Sequence, residues 1–281
     1  MRRRKKPNYF LFFVLALFLL GIVAYIYARY IGTRGLIVRE YTIESERVSS
    51  KLDGLRIAHF TDVHYGMTVF LPELENIVNK INSLNPDIIV FTGDLIDIDY
   101  EINEQNLNQV IDILNNLTNS APIYAVKGNH DQGPAFRRVI AETDFTLLVN
   151  QHDLFNYNGE NIVIVGLDSY TVGHQDITRA FSRVPNNDYF TITLAHEPDV
   201  IEDFSSYNID LFLSGHSHCG QVRLPFIGSV ANANGAVNFN ESEYRVGETQ
   251  MFISCGIGTS KLPFRSFNPP SINLYHFSAD N

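Results

Sequence analysis

Residues 55–64 read LRIAHFTDVH, an apolar run that ends abruptly in an aspartate and a histidine one residue apart. The same design returns in PDIIVFTGD at 86–94 and in PIYAVKGNHD at 122–131. Between these runs, Leu71, Leu74, Ile77, Val78, Ile81 and Leu84, and then Leu107, Val110, Ile111, Leu114 and Leu117, recur at intervals of three and four, the spacing of a helix with one buried face. A run that stays apolar instead of alternating is what a strand covered on both faces requires. Strand alternating with amphipathic helix predicts an α/β domain with helices outside its sheet.

The later half is richer in strand signals: NIVIVGLDS (161–169), YFTITLAHEPD (189–199), IDLFLSGHSH (209–218), QMFISCGIG (250–258) and SINLYHF (271–277). Helix signals there are weaker, at 134–143 and 176–183. The expectation is one or two central sheets. The Gly-, Asn- and Ala-rich segment 224–249 reads as a long loop near the mouth of a site.

With 45% hydrophobic and 19% charged residues in 281, the composition is that of a globular protein. Its charge is unevenly spread. Arg2, Arg3, Arg4, Lys5, Lys6, Arg29 and Arg34 all fall in the first 34 residues, which hold no acid, and the rest carries 14 basic against 31 acidic residues. So acidic a body is a poor partner for nucleic acid. Cys219 and Cys255 are too few for a disulfide framework and lack CxxC spacing. They read first as small buried residues, with pairing in an oxidising compartment as the alternative.

From Tyr9 to Ala28 no side chain is charged over 20 residues, enough for a helix to cross the roughly 30 Å apolar layer of a bilayer. RRRKK precedes the run, and Tyr25, Tyr27 and Tyr30 stand where an aromatic belt would meet the far headgroups. A cleaved signal fits less well, because the run is long and Ile26 occupies the small-residue position before a cut at Ala28. The expected division is an anchor over 1–34 and a domain over 35–281. The positive-inside rule places the N-terminus in the cytoplasm and the domain on the extracytoplasmic face of the inner membrane, as a single-pass protein.

The polar residues gather at the carboxyl ends of the expected strands, where open α/β sheets build their sites. They are Asp62 and His64, Asp94 and Asp97, Asn129, His130 and Asp131, His196, and His216 with His218, and they include five of the nine histidines. A lone histidine is weak evidence of a ligand; metal-ligand residue types closing five strands in succession are strong evidence. Mixed imidazole and carboxylate suits Mn, Fe or Zn, and two such ions could clamp both the attacking and the leaving oxygen of a phosphoryl group. Glycines 93, 128 and 215 allow close approach of the backbone. Asp131 reads as a loop cap, outside the catalytic set.

The ordered set DVH, GD, GNHD, a lone His and GHSH resembles the calcineurin-like metallophosphoesterase family over about residues 55–277. The resemblance implies a four-layer αββα sandwich, here preceded by one transmembrane helix, and two divalent or trivalent ions, Mn first with Fe or Zn as alternatives. It implies that Asp62, His64 and His218 hold one ion, that Asn129, His196 and His216 hold the other, and that Asp94 bridges them. His130, oriented by Asp97, would protonate or stabilise the leaving oxygen.

A finer match to a membrane-anchored bacterial branch lies in LDGLRIAHFTDVHYG, GQVRLP and GIGTSKLPFRSFNPPSINLYHF, with Cys219 where that branch usually has glycine. It implies phosphodiester or diphosphate hydrolysis at the membrane, on a lipid-linked substrate such as UDP-2,3-diacylglucosamine in lipid A synthesis. That substrate is expected in the cytoplasm, against the charge rule. Two alternatives stand: a general phosphodiesterase or nucleotidase for soluble esters, and a tethered metal-binding protein without turnover.

Overall fold

The computed structural model describes residues 8–117, 120–184 and 189–279; the basic cluster at 2–6 lies outside them. Chain order begins with helix α1 (Tyr9–Ile26), extended by a π turn over Tyr27–Ile31, then strands β1 (Ile37–Glu44) and β2 (Arg56–Phe60). There follow α2 (Leu71–Ser83), β3 (Ile88–Phe91), α3 (Glu104–Leu114), β4 (Ile123–Ala125), α4 (Pro134–Glu142), β5 (Phe145–Leu147), β6 (Gln151–Tyr157) and β7 (Glu160–Gly166). After the single turn α5 (Ile177–Ala180) come β8 (Phe190–Leu194), a 3-10 segment (Pro198–Phe204), β9 (Leu211–Ser214), β10 (Arg223–Leu224), β11 (Gly228–Ser229), β12 (Glu243–Val246), β13 (Thr249–Ile253) and β14 (Ser271–Ser278).

Among the described residues the long strands form two six-stranded sheets, ordered β1-β14-β2-β3-β4-β5 and β12-β13-β9-β8-β7-β6. One core lies between them: Ile57, Ile88 and Val90 of the first sheet share a cluster with Ile162, Ile164, Ile192 and Leu213 of the second. The alternate residues, Ala58, Phe60, Ile89 and Phe91, face outward against Leu74, Ile77, Val110 and Phe136 of the helices. The apolar runs thus serve both faces, with the period of two that a pleated strand imposes. On the far side, Val163, Val165 and Phe212 pack against Ala180, Val200 and Phe204. The result is the expected helix–sheet–sheet–helix sandwich.

Helix α2 starts where Glu73 Oε2 accepts from the Phe70 N–H at 3.1 Å, and α3 where Asn103 Oδ1 accepts from the Asn106 N–H at 2.8 Å. Each satisfies a donor that a helix start leaves open. Two expectations are corrected. The 176–183 helix shrinks to one turn, and 224–249 is not a plain loop, since it contains β11, most of a β10–β11 hairpin and the edge strand β12. Strands β1, β5, β6, β10, β11 and β12 fall outside the apolar runs of the sequence.

α1 with its π turn is long and apolar enough to cross a membrane, and none of it is buried. Its end docks on the domain: the Arg265 N–H donates to the Ala28 carbonyl at 2.9 Å, and the Tyr25–Phe264 and Tyr27–Phe267 ring centroids lie 5.5 and 5.7 Å apart. A side chain at Gly32 would collide with the Arg265 carbonyl.

Candidate metal centre

The loops leaving β2 and β3 run side by side. Asp62, His64 and Tyr65 donate their N–H groups to the carbonyls of Gly93, Asp94 and Leu95 at 2.9–3.1 Å. This ladder carries the strand pairing past the sheet's end and brings Asp62 and His64 beside Asp94. The backbones of Asp62, Asp94, His64, His216 and His218 all take positive φ, from 44° to 64°, a region that side chains enter at a cost and that clusters at functional sites. Gly128 crosses directly over Asp94, where a Cβ would meet the carboxylate.

Three overlapping groups result: Asp62, His64 and His218; His64, Asp94 and His130; and Asp94, His196 and His216, each with ligand atoms within 4.8 Å of one another. His218 Nε2 lies 3.2 Å from His64 Nε2 and 3.4 Å from Asp62 Oδ1. His196 Nε2 lies 3.1 Å from His216 Nδ1 and 3.2 Å from Asn129 Oδ1. Asp94 Oδ2 stands between the groups, 3.6 Å from His64 Nε2 and 3.2 Å from His196 Nε2.

The donor chemistry fits cations. Asp62 Oδ1 is buried and has no hydrogen-bond partner, an orphan that a metal ion would satisfy. His64 Nδ1 donates to Asp97 Oδ2 at 3.1 Å, His196 Nδ1 to the Thr92 carbonyl at 2.6 Å, and His216 Nε2 to the Asn234 carbonyl at 2.7 Å. Each partner fixes a tautomer whose other nitrogen offers a lone pair to the centre. Burial would raise both carboxylates, but the surrounding imidazoles hold Asp62 and Asp94 well below the usual carboxylate range. Burial would depress His64, yet the nearby carboxylates of Asp62, Asp97 and Asp94 lift it to about 9. Burial, with His64 and Arg265 nearby, drops His218 to about 3.

His216, His218 and Cys219 are left-handed, so the turn aims His216 at His196 and His218 at His64. Two expectations change. Asp97 was to orient His130, but its Oδ2 is 3.1 Å from His64 and 3.6 Å from His130. The Ile98 N–H donates to His130 Nδ1 at 3.0 Å, which leaves the neutral ring's proton on Nε2. The cysteines, read first as unpaired, form a disulfide with Cα atoms 4.8 Å apart. They leave the adjacent parallel strands β9 and β13, which pair Ser214 with Ile253, a neighbourhood that no linear spacing reveals.

Asp131 acts as the cap it was read as, accepting from the N–H groups of Asp94, Leu95 and Gly128 at 2.7–3.0 Å. Burial first and Asp94 second push it to about 6. Two supporting residues were missed. Fully buried Arg265 donates to the carbonyls of Cys255 and Gly258 and stands 3.2 Å from His218 Nδ1. Glu197, beside His196 in the chain, accepts from Ser169, Tyr170 and Thr171. Its position after His196 was the available signal; Arg265 had none. A cavity of about 740 Å³ opens above the cluster, lined by Asp94, Asn129, His130 and His216 on one side and by Tyr25 and Ala28 of the apolar helix on the other.

A family model for calcineurin-like phosphoesterases matches residues 55–220. The chain belongs to that family. YkuE of Bacillus subtilis (strain 168), an uncharacterized metallophosphoesterase, is 32% identical over 262 residues, 92% of this chain and 91% of that protein. A Danio rerio transmembrane protein with a metallophosphoesterase domain is 28% identical over 270 residues, 90% of this chain and 59% of that protein. The NAD nucleotidase NadN of Haemophilus influenzae superposes with a TM-score of 0.51 at 14% identity, over 72% of this chain and 45% of that one, which shows the shared fold alone. This calcineurin-like phosphoesterase is a phosphoester hydrolase with residues positioned to hold metal ions.

Proposed function

We propose that the protein hydrolyses a phosphodiester or diphosphate bond of a lipid-linked substrate at the extracytoplasmic face of the inner membrane, to which α1 anchors it. One observation carries this reading: the cavity over the Asp62–Asp94–His196 cluster has the apolar helix itself as a wall, through Tyr25 and Ala28. Tethering at this point keeps the enzyme beside a substrate that cannot leave the bilayer.

Asp62, His64 and His218 would hold one ion, Asn129, His196 and His216 the second, with Asp94 shared; manganese suits this nitrogen and oxygen set, as do iron and zinc. When bound, such ions polarise the phosphoryl oxygens and acidify water. The chain's own residues do the rest. His130, with its proton on Nε2, gives it to the leaving oxygen as the bond to phosphorus breaks. The Ile98 N–H holds that tautomer, Asp97 holds His64, and Asp131 fixes the turn that presents Asp94 and Asn129.

The Cys219–Cys255 pair supports the extracytoplasmic side, where disulfides persist. That side separates the enzyme from UDP-2,3-diacylglucosamine, a precursor expected in the cytoplasm, and favours a lipid phosphoester exposed outside. The test is the full-length protein loaded with Mn, assayed on bis-p-nitrophenyl phosphate and on lipid diphosphates in bilayers. Faster turnover of the lipid substrates is expected, and an equal preference for soluble esters overturns the lipid reading. Alkaline phosphatase fused to the C-terminus should be active outside the cytoplasm; an inactive fusion overturns the topology.

A further inference from the structure

The apolar run from Tyr9 to Ala28 has 20 residues, about 30 Å of helix and so about the full thickness of the hydrocarbon layer. The domain grips this helix inside that run, not beyond it. Phe264 packs on Tyr25, and Arg265 donates to the Ala28 carbonyl. Tyr25 stands three residues, about 5 Å, short of the run's end. The segment that touches it therefore sits at the boundary between acyl chains and headgroups, where unprotected polar groups are costly.

The exposed side chains around this contact are of the kind that depth requires. Leu262 and Phe267 flank the gripping segment and are 58% and 59% exposed. The β10–β11 hairpin is bonded to the same segment, since the Arg223 N–H donates to the Ser266 carbonyl at 2.9 Å. Its tip residue Phe226 lies three residues on, within about 10 Å of chain. Phe226 is fully exposed, with φ at 67°, and Ile227 is 74% exposed. A turn in water would place glycine or asparagine in that left-handed position. Lys261, exposed beside Leu262, has the long stem and charged head that suit an interface.

We propose that the hairpin tip Leu224–Ile227 and the segment Leu262–Phe267 form a second bilayer-contacting surface, separate from the anchor, which sinks into the outer headgroup–acyl boundary. The occupant is phospholipid. This surface borders the cavity that holds the metal cluster, which Leu262 and Phe264 also line. The cavity then opens sideways to the membrane, and a lipid-borne phosphoester enters with its tail still in the bilayer. The inference rests on the anchor reading above, and the test separates the two.

The chain contains no tryptophan, so each introduced tryptophan reports one position. Full-length Phe226→Trp, Phe13→Trp and Leu154→Trp are reconstituted in phosphatidylcholine nanodiscs with and without dibrominated acyl chains. Phe13 lies in the anchor; Leu154 is an exposed residue on the β6 edge of the second sheet. Wild-type hydrolysis of bis-p-nitrophenyl phosphate certifies each fold, and Ile227→Trp replaces Phe226→Trp if that variant fails. The expected result is loss of emission by bromine at positions 13 and 226 but not at 154. Quenching at 13 with position 226 no more quenched than 154 overturns this proposal and leaves the anchor standing. No quenching at 13 overturns the anchor reading and this proposal with it.

Discussion

The two halves of the candidate metal centre are built differently. Asp62 and His64 are wholly buried, and His218 nearly so, with Asp97 and Arg265 packed behind them. In the other half His196 is also wholly buried, but Asn129 and His216 are only half-buried and face the cavity, which His218 lines too, and a loop carbonyl, that of Asn234, sets the His216 ring. The closed half is over-determined by charge and packing. The open half is less enclosed at two of its three residues, Asn129 and His216. Asp94 belongs to both, and the sharpest tests of the contrast start there.

Asp94→Asn is expected to have the largest effect: hydrolysis of bis-p-nitrophenyl phosphate falls to background, and bound metal measured by plasma mass spectrometry drops, because one carboxylate serves both halves. Retained activity would dissolve the idea of a shared centre. Next comes His130→Ala, with kcat lower by about 10²–10⁴-fold and metal content unchanged. Lost metal would instead make His130 a ligand beside His64 and Asp94, a grouping its position also allows. Third, Asp97→Asn should weaken metal binding by about 10–100-fold, whereas Glu197→Gln, behind the open half, should weaken it less. The Glu197 carboxylate is already shared among hydrogen-bond donors from three residues. Equal losses in chelator competition would erase the distinction between the halves. The smallest effect on activity belongs to Cys219→Ser with Cys255→Ser. Denaturant unfolding should show about 2–4 kcal/mol of lost stability at nearly normal turnover.

What the sequence discloses follows the same division. β2, β3 and β4 were legible because double burial makes each a continuous apolar run ending at a candidate ligand. Strands β5 and β12 have three and four residues, and β6 is largely exposed, so none offers a run to read. The candidate ligands were readable as residue types because they stand at strand ends. Their aim was not: positive φ at His216 and His218 comes from tertiary contacts, and no residue type there announces it. The partners of His218 were hidden by distance along the chain, Arg265 being 47 residues away. Pairing of Cys219 with Cys255 depends on β9 lying beside β13, a fact of sheet order that local pattern does not carry.

Arg265 has one more consequence. Its backbone is held by the π turn that ends the apolar helix, at Ala28, while its guanidinium stands against the ring of His218. A single residue thus bears on two parts of the molecule usually treated as separable. A catalytic domain cut free at residue 35 would lose the hold at Ala28 and leave Arg265 to settle without it. Rates and metal affinities measured on such a fragment would describe a relaxed relative of the enzyme, because the apolar helix walls the cavity over the candidate metal centre.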